Sequence, residues 1–363
     1  MNILITGSKG FIAQNLISHL DKNDELKILE FSRNDPPKDL ELKVTKADFI
    51  CHFAGVNRSD NDIDFVDVNI GLTEKICELA SRAGNKIPLL LTSSVHAEQD
   101  TPYGKSKLAA EQHLIKYSKN TGAEIFIFRL KNVFGKWCRP NYNSVVATFC
   151  HNVAKGLSIK IHDRESKIEL IYIDDFIDEI INIFKGKHEK KDYYQVEPTY
   201  QTSVGELAEK IHGFKESRTS LVVDDVGIGL TRALYATYLS YLEENDFSYK
   251  LPEYNDERGQ FSEILKTSRS GQISFFTSKP GISRGCHYHH TKSEKFLVVQ
   301  GEAEFSFQHI QNGRKYQKTI SSITPEIVET IPGWIHEITN IGDIDLIVFL
   351  WANEIFDRKK PDT

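Results

Sequence analysis

A tyrosine and a lysine four residues apart, in Tyr103-Gly-Lys-Ser-Lys107, could move a proton to or from a carbonyl oxygen. If the segment opens a helix, the two side chains lie one turn apart on the same face. A lysine cation beside a phenol lowers its pKa from the usual value of about 10. The tyrosine then works as a general acid or base near neutral pH. Ser94 closes the apolar run that leads from Pro88 into Thr92-Ser93-Ser94 and could hydrogen-bond the same oxygen. A tyrosine and lysine at this spacing occur often by chance on surface helices. A second motif upstream gives this pair weight.

That motif is Gly7-Ser-Lys-Gly10-Phe-Ile-Ala13, directly after the short strand-like run Asn2–Thr6. Glycines there permit a tight turn and close approach of the backbone to a pyrophosphate. A helix beginning at Phe11 would add free N–H groups and positive partial charge. Gly7, Lys9, Gly10, Phe11 and Ile12 are therefore candidate dinucleotide-binding residues. Arg33 falls just past the second strand-like run, Leu26–Phe31, where the adenosine ribose would lie. An arginine at that place favours the 2′-phosphate of NADP, whereas an acid favours a free 2′-hydroxyl. Glu30 is close by but falls within the strand, and a solvent-facing Arg33 is the competing interpretation. NADPH is the expected cofactor.

A different chemistry stands near the C-terminus. His287 and His289 are two residues apart, and side chains at that spacing on a strand point the same way. With Glu294 and Gly301 after them, they resemble the first metal-binding box of a cupin barrel. Pro332-Gly333-Trp-Ile-His336-Glu-Ile-Thr-Asn340 resembles the second box, with its proline one residue closer to the histidine than the pattern has it. The resemblance implies His287, His289, Glu294 and His336 as ligands of one ion. Three nitrogens and a carboxylate suit zinc, and also iron, nickel or manganese. Zinc is the expectation, because the expected chemistry needs a Lewis acid without redox change. Cys286 and His290 flank the ligands and should point away.

These residues need two kinds of scaffold. Up to about residue 243, short β-branched runs alternate with stretches of helical spacing, which implies a doubly wound parallel sheet covered by helices. A helix is read over 66–83 and another over 103–119. From about residue 247, strands dominate, over 272–277, 294–299, 303–309, 315–320, 327–331 and 346–351, in the manner of an all-β barrel or sandwich. The expected domains are 1–243 and 252–363, joined by a polar linker over 244–251. The 363 residues carry 40% hydrophobic and 26% charged side chains and a net charge of −6, which gives no basic patch for nucleic acid. No apolar run reaches the roughly 18 residues that span a bilayer. The start lacks a basic segment and a cleavage site, and five scattered cysteines fit free thiols in a reducing cytoplasm.

The glycine loop, Ser94 and Tyr103/Lys107 together resemble the extended short-chain dehydrogenase/reductase family, over roughly residues 1–243. Ala54-Gly55, Asn69, the Arg129–Gly135 segment and Tyr172-Ile-Asp-Asp175 also fit it. The resemblance adds Ala54, Gly55 and Asn69 to the cofactor site. It puts Asn132, Lys131, Arg139 and Tyr142 beside a sugar-nucleotide diphosphate or uracil. Dehydratases of that family carry an Asp-Glu pair beside the catalytic hydroxyl; here Val95-His96 follows Ser94, which disfavours dehydration. Ser94 lies only nine residues before Tyr103, so the intervening loop must be short.

A reductase followed by a metal cupin resembles, over the whole chain, the bifunctional CapF-type enzymes of capsular polysaccharide biosynthesis. The most specific stretches are residues 135–144, 238–242 and 287–299. That resemblance implies C3 epimerisation of a UDP-linked 4-keto-6-deoxy-N-acetylhexosamine by the cupin, then reduction of its C4 ketone with NADPH, in the route to UDP-N-acetyl-L-fucosamine. Ser94, Tyr103 and Lys107 would be the catalytic set of the reductase. Lys295, Glu302 and His309 are candidates for the epimerisation base. A homodimer is also implied. The alternatives are a single-step 4-reductase or 4-epimerase whose cupin only binds, and a cupin that serves solely for dimerisation.

Overall fold

The structure is a computed structural model that describes residues 1–21, 25–59, 61–357 and 359. The chain forms two compact units, the first of Met1–Ile211 and Ile228–Leu242, the second of His212–Gly227 and Glu243–Thr363. The sequence suggests one boundary, at 243. The chain passes between the units at 211, 227 and 242.

In the first unit, β1 (Asn2–Thr6), β2 (Lys27–Phe31), β3 (Phe49–His52), β4 (Leu89–Ser94) and β5 (Ile125–Leu130) make one sheet in the order β2-β1-β3-β4-β5. Every pairing in it is parallel. All of β3 and β4 is buried, as unbroken apolar strands are when helices cover both faces. The helices of this sheet are α1 (Phe11–Leu20), α2 (Pro37–Lys46), α3 (Leu72–Ala83) and α4 (Pro102–Thr121). Leu4, Ile50, Leu89 and Leu91 pack with Val44, Ile76 and Leu114 from helices. Each such side chain contributes roughly 1.5–3 kcal/mol on burial. A smaller sheet of β6 (Asn132–Phe134), β7 (Lys167–Tyr172) and β8 (Tyr200–Ser203) follows, with α5 (Val145–Ala154) and α6 (Ile173–Phe184).

The helix read over 66–83 starts differently. Phe65–Gly71 is π-helical and only Leu72–Ala83 is α-helical. The wider turn points Asn69 inward, where it is buried.

Helix α7 (Val204–Ser220) and β9 (Val222–Val223) come next, and α8 (Gly229–Leu239) returns to the first unit. The second unit is all-β: β10 (Tyr254–Asp256), β11 (Gly259–Thr267), β12 (Gly271–Ser278), β13 (Ser283–His287), β14 (Glu294–Gln300), β15 (Glu302–His309), β16 (Lys315–Ser321), β17 (Ile327–Glu329), β18 (Trp334–Asn340) and β19 (Leu346–Ala352). Two sheets result, β10-β11-β12-β19-β14-β17, with β9 beside β11, and β13-β18-β15-β16. Phe276, Phe296 and Val348 from the first meet Phe305, Phe307 and Ile338 from the second in one core. In this unit the strands read from the sequence omit β9, β10, β11, β13 and β18. β11 and β13 carry glycine and polar residues that blur alternation.

Candidate functional site

The strand order reverses between β1 and β3, and a doubly wound sheet opens a crevice at such a point. The loops after both strands flank it. Gly7 has φ +67°, and a Cβ there would stand 2.7 Å from the Ala54 backbone nitrogen, so a side chain is excluded. Gly10 N–H donates to the Gly7 carbonyl at 2.7 Å, closing the turn. Phe11 and Ile12 begin α1 behind it. Asn69 accepts from the Val56 N–H at 2.8 Å and donates to the Val56 carbonyl and the Ser106 hydroxyl, each at 3.0 Å. A Cβ on Gly55 would meet both Asn69 and Lys107 at 3.2 Å. These glycines leave open backbone for a flat ligand.

Lys9 pairs with Glu30 at 3.0 Å at the crevice edge. Arg33 is exposed just beyond β2.

Ser94 is the last residue of β4, and its hydroxyl accepts from the His96 N–H at 3.2 Å. The short connection folds as one 3₁₀ turn, Val95–Glu98, after which Thr101 caps α4 through the Gly104 N–H at 3.0 Å. Pro102 sits at the first helical position, where its missing N–H costs nothing. A Cβ on Gly104 would lie 2.4 Å from the His96 carbonyl, which is why the turn and the helix start can touch.

Tyr103 stands in the first turn of α4, near enough to Ser94 for that hydroxyl to act on its phenol. Its phenol is raised above the ordinary range by burial, which outweighs the lowering by Ser94. This differs from the sequence expectation, in which Lys107 does the lowering. Lys107 is itself buried, donates to the Thr92 carbonyl at 3.0 Å, and sits 5.9 Å from the centre of the Tyr103 ring. Burial draws its ammonium down to about 8, against the opposing pull of the Glu111 carboxylate.

Sequence reasoning missed Glu111, although Tyr103, Lys107 and Glu111 share one helix face at successive turns. Glu111 is fully buried. It accepts from the Ser93 hydroxyl at 2.5 Å and takes the Arg129 guanidinium bidentately at 3.0 and 2.8 Å. Arg129 also holds Glu98 at 2.5 Å.

The four candidate sugar-nucleotide residues divide. Arg139 lies over the Tyr142 ring at 5.2 Å. Lys131 instead pairs with Glu169 at 2.9 Å, and Asn132 donates to the Glu169 carbonyl at 3.2 Å. Arg58 was not foreseen: it and Tyr142 exchange side-chain to carbonyl hydrogen bonds at 3.4 and 3.3 Å.

In the second unit, donor atoms of His287, His289, Glu294 and His336 all lie within 4.8 Å of one another. The two histidines do not share a strand as read. His287 ends β13 behind a bulge at Cys286 (φ +66°), and His289 lies past the strand end. Cys286 is exposed. His336 pairs with His287 across β13 and β18. Glu294 opens β14, 3.2 Å from His289 Nε2 and 3.6 Å from His336 Nε2. The shifted Pro332 is accommodated by Gly333 at φ +78°, whose N–H donates to the His289 carbonyl at 3.0 Å.

Burial, with His336 and His289 next to it, draws His287 down to about 4, so its imidazole is neutral at pH 7 and offers a lone pair. Burial works to raise Glu294, but the hydrogen bond with His289, the nearby His336 ring and the Lys292 charge hold it far below the usual carboxylate range. Lys292 is buried and pairs with Glu294 at 3.1 Å. Three histidine nitrogens, those of His289 and His336 buried, converging on a carboxylate fit a divalent cation.

The candidate epimerisation bases fare otherwise. Strand alternation turns Lys295 away from the side that Glu294 faces, and it pairs with Glu329. Glu302 is exposed at the start of β15. His309 lies against the Trp334 ring at 5.0 Å.

Residues 3–196 match the NAD dependent epimerase/dehydratase family, and residues 254–363 match the polysaccharide biosynthesis C-terminal domain. A Pseudomonas aeruginosa protein called UDP-2-acetamido-2,6-beta-L-arabino-hexul-4-ose reductase is 50% identical over 363 residues, covering 100% of this chain and 98% of its own. The capsular polysaccharide assembling protein CapF from Staphylococcus aureus superposes with a TM-score of 0.94 at 40% identity, covering 100% of this chain and 98% of its own. The UDP-glucuronic acid 4-epimerase from Bacillus cereus, at 18% identity and a TM-score of 0.57, shares the fold over 66% of this chain and 98% of its own. With its sheet, its glycine loop and its C-terminal β domain all matched, the chain belongs to the NAD dependent epimerase/dehydratase family, in the two-domain CapF-type form.

Proposed function

We propose that the first unit, broadly residues 1–243, reduces the C4 ketone of a UDP-linked 2-acetamido-2,6-dideoxy-4-ketohexose, and that residues 252–363 form a cupin that inverts C3 of the same sugar beforehand. The observation that carries the reductase is the meeting of Ser94, Tyr103 and Lys107 beside the Gly7 turn. The name of the Pseudomonas aeruginosa relative supports the substrate.

NADPH, when bound, supplies the hydride. Gly7, Lys9, Gly10, Phe11 and Ile12 would hold its diphosphate, Arg33 its 2′-phosphate, and Ala54, Gly55 and Asn69 the floor beneath it. Ser94 would orient the ketone oxygen and Tyr103 would give it a proton. Lys107, held by Thr92, would anchor the ribose and keep positive charge near the phenol. Arg139 and Tyr142 would meet the nucleotide. Lys131 and Asn132 would reach it only by leaving Glu169.

In the second unit His287, His289, Glu294 and His336 would hold a divalent cation, zinc in our reading. The cation would supply a Lewis acid for the enolate formed when the C3 proton leaves. A CapF structure 37% identical to this chain holds the inhibitor 3-isopropenyl-tropolone, and a tropolone's adjacent oxygens chelate metals. The same reading has a homodimer in the cytoplasm, in line with cysteines that are all free.

The test is solvent exchange. Incubated with the ketosugar in heavy water without NADPH, the protein should place deuterium at C3; an unlabelled C3 removes the epimerase. Tyr103→Phe should still exchange that proton while failing to oxidise NADPH.

A further inference from the structure

Between β16 and β17, the free edges of the two sheets of the second unit, lies a cavity of about 560 Å³. That volume suits a small ligand. Three aromatic rings line it, Phe307, Tyr316 and Trp334, together with Arg314, Lys315 and Lys318. The carboxylates at its rim, Glu326 and Glu329, are each taken by a lysine, Lys318 and Lys295. Arg314 lies over the Trp334 ring at 5.0 Å. Among the described residues, neither Arg314 nor Lys315 has a carboxylate partner, so the cavity carries surplus positive charge.

Its position relates it to the metal-ligand cluster. Trp334 and His336 are two apart on β18 and face the same side. Phe307 stands directly opposite His336, and Tyr316 directly opposite Phe307. One row of side chains therefore runs from the cluster to the cavity over two strand spacings, about 10 Å. A hexose at the cluster would place whatever it is linked to among these rings and cations.

We infer that this seam cavity is a nucleoside-diphosphate subsite of the second unit. The base lies against Tyr316 and Trp334, and the diphosphate meets Arg314 and Lys315. The inference rests on the proposed sugar-nucleotide function and adds that the two units hold the nucleotide separately, each at its own subsite.

The experiment uses the full chain labelled with 5-fluorotryptophan, which carries three tryptophans, Trp137, Trp334 and Trp351. Trp334→Phe identifies the Trp334 fluorine resonance. UDP should shift that resonance, and Arg314→Ala with Lys315→Ala, both at exposed positions, should weaken the titration about tenfold or more. A Trp334 resonance that stays still at saturating UDP overturns the inference, and so does an unchanged titration in the double variant. An equal shift with pyrophosphate alone also overturns it, since the site would then be one for anions. Failure of ketosugar-dependent NADPH oxidation would sink the reductase function instead, whatever the resonance does.

Discussion

Lys107 is the residue on which pH control of the first unit turns. Its ammonium, drawn down to about 8 by burial, is charged at pH 7 and loses its proton within the alkaline range. Hydride transfer should therefore fall as pH rises through about 8, in a profile of NADPH oxidation against pH. Stability runs the other way: the unfolded chain binds that proton up to a higher pH than the folded one, so this site costs most stability below 8 and nothing above the unfolded pKa. Tyr103→Phe keeps the ring and removes the proton donor. It should lower kcat by roughly 10²–10⁴ while the dissociation constant for NADPH, followed by fluorescence, changes little.

At the scale of elements, α4 and the 3₁₀ turn before it act as one piece. Glu111 and Arg129 tie together Ser93, Glu98 and the third turn of the helix. Glu111→Gln removes the anion that supports the Lys107 charge, so the alkaline limb of the pH profile should move to lower pH. An unmoved limb would mean that Glu111 serves only packing. Thr101→Ala removes the cap of α4 and should cost about 1 kcal/mol in a denaturant titration.

This region marks how far the sequence could be read. Tyr103, Lys107 and Ser94 stood out by type and spacing, and the apolar runs located β1, β2 and β4 of the parallel sheet. Glu111 did not stand out, because one more acid on a helix has no signature until Ser93 and Arg129 close on it from other strands. The π-helical Phe65–Gly71 was equally hidden: a widened turn leaves the apolar pattern nearly unchanged. In the β unit, the histidine box was legible as a motif. Its geometry was not, since a bulge at Cys286 and a strand end between His287 and His289 replace simple alternation.

For the whole molecule, two independent cores imply two separable responses. A metal held by the folded second unit alone should stabilise that unit by about 4 kcal/mol at a thousandfold excess over its dissociation constant. A chelator should lower one calorimetric transition and leave the other in place. His287→Ala and His336→Ala should lose bound metal by elemental analysis, and a full complement in either would refute the ligand assignment.

His212–Gly227 leaves the first unit, lends β9 to the edge of β11, and goes back before the chain finally departs at 242. The two modules are therefore threaded, not strung end to end. A single recombination point near 243 would produce a β module stripped of one strand, with the edge of β11 bare for sticking to other chains. Shuffling this β module between enzymes, in evolution or at the bench, requires a graft with three joints.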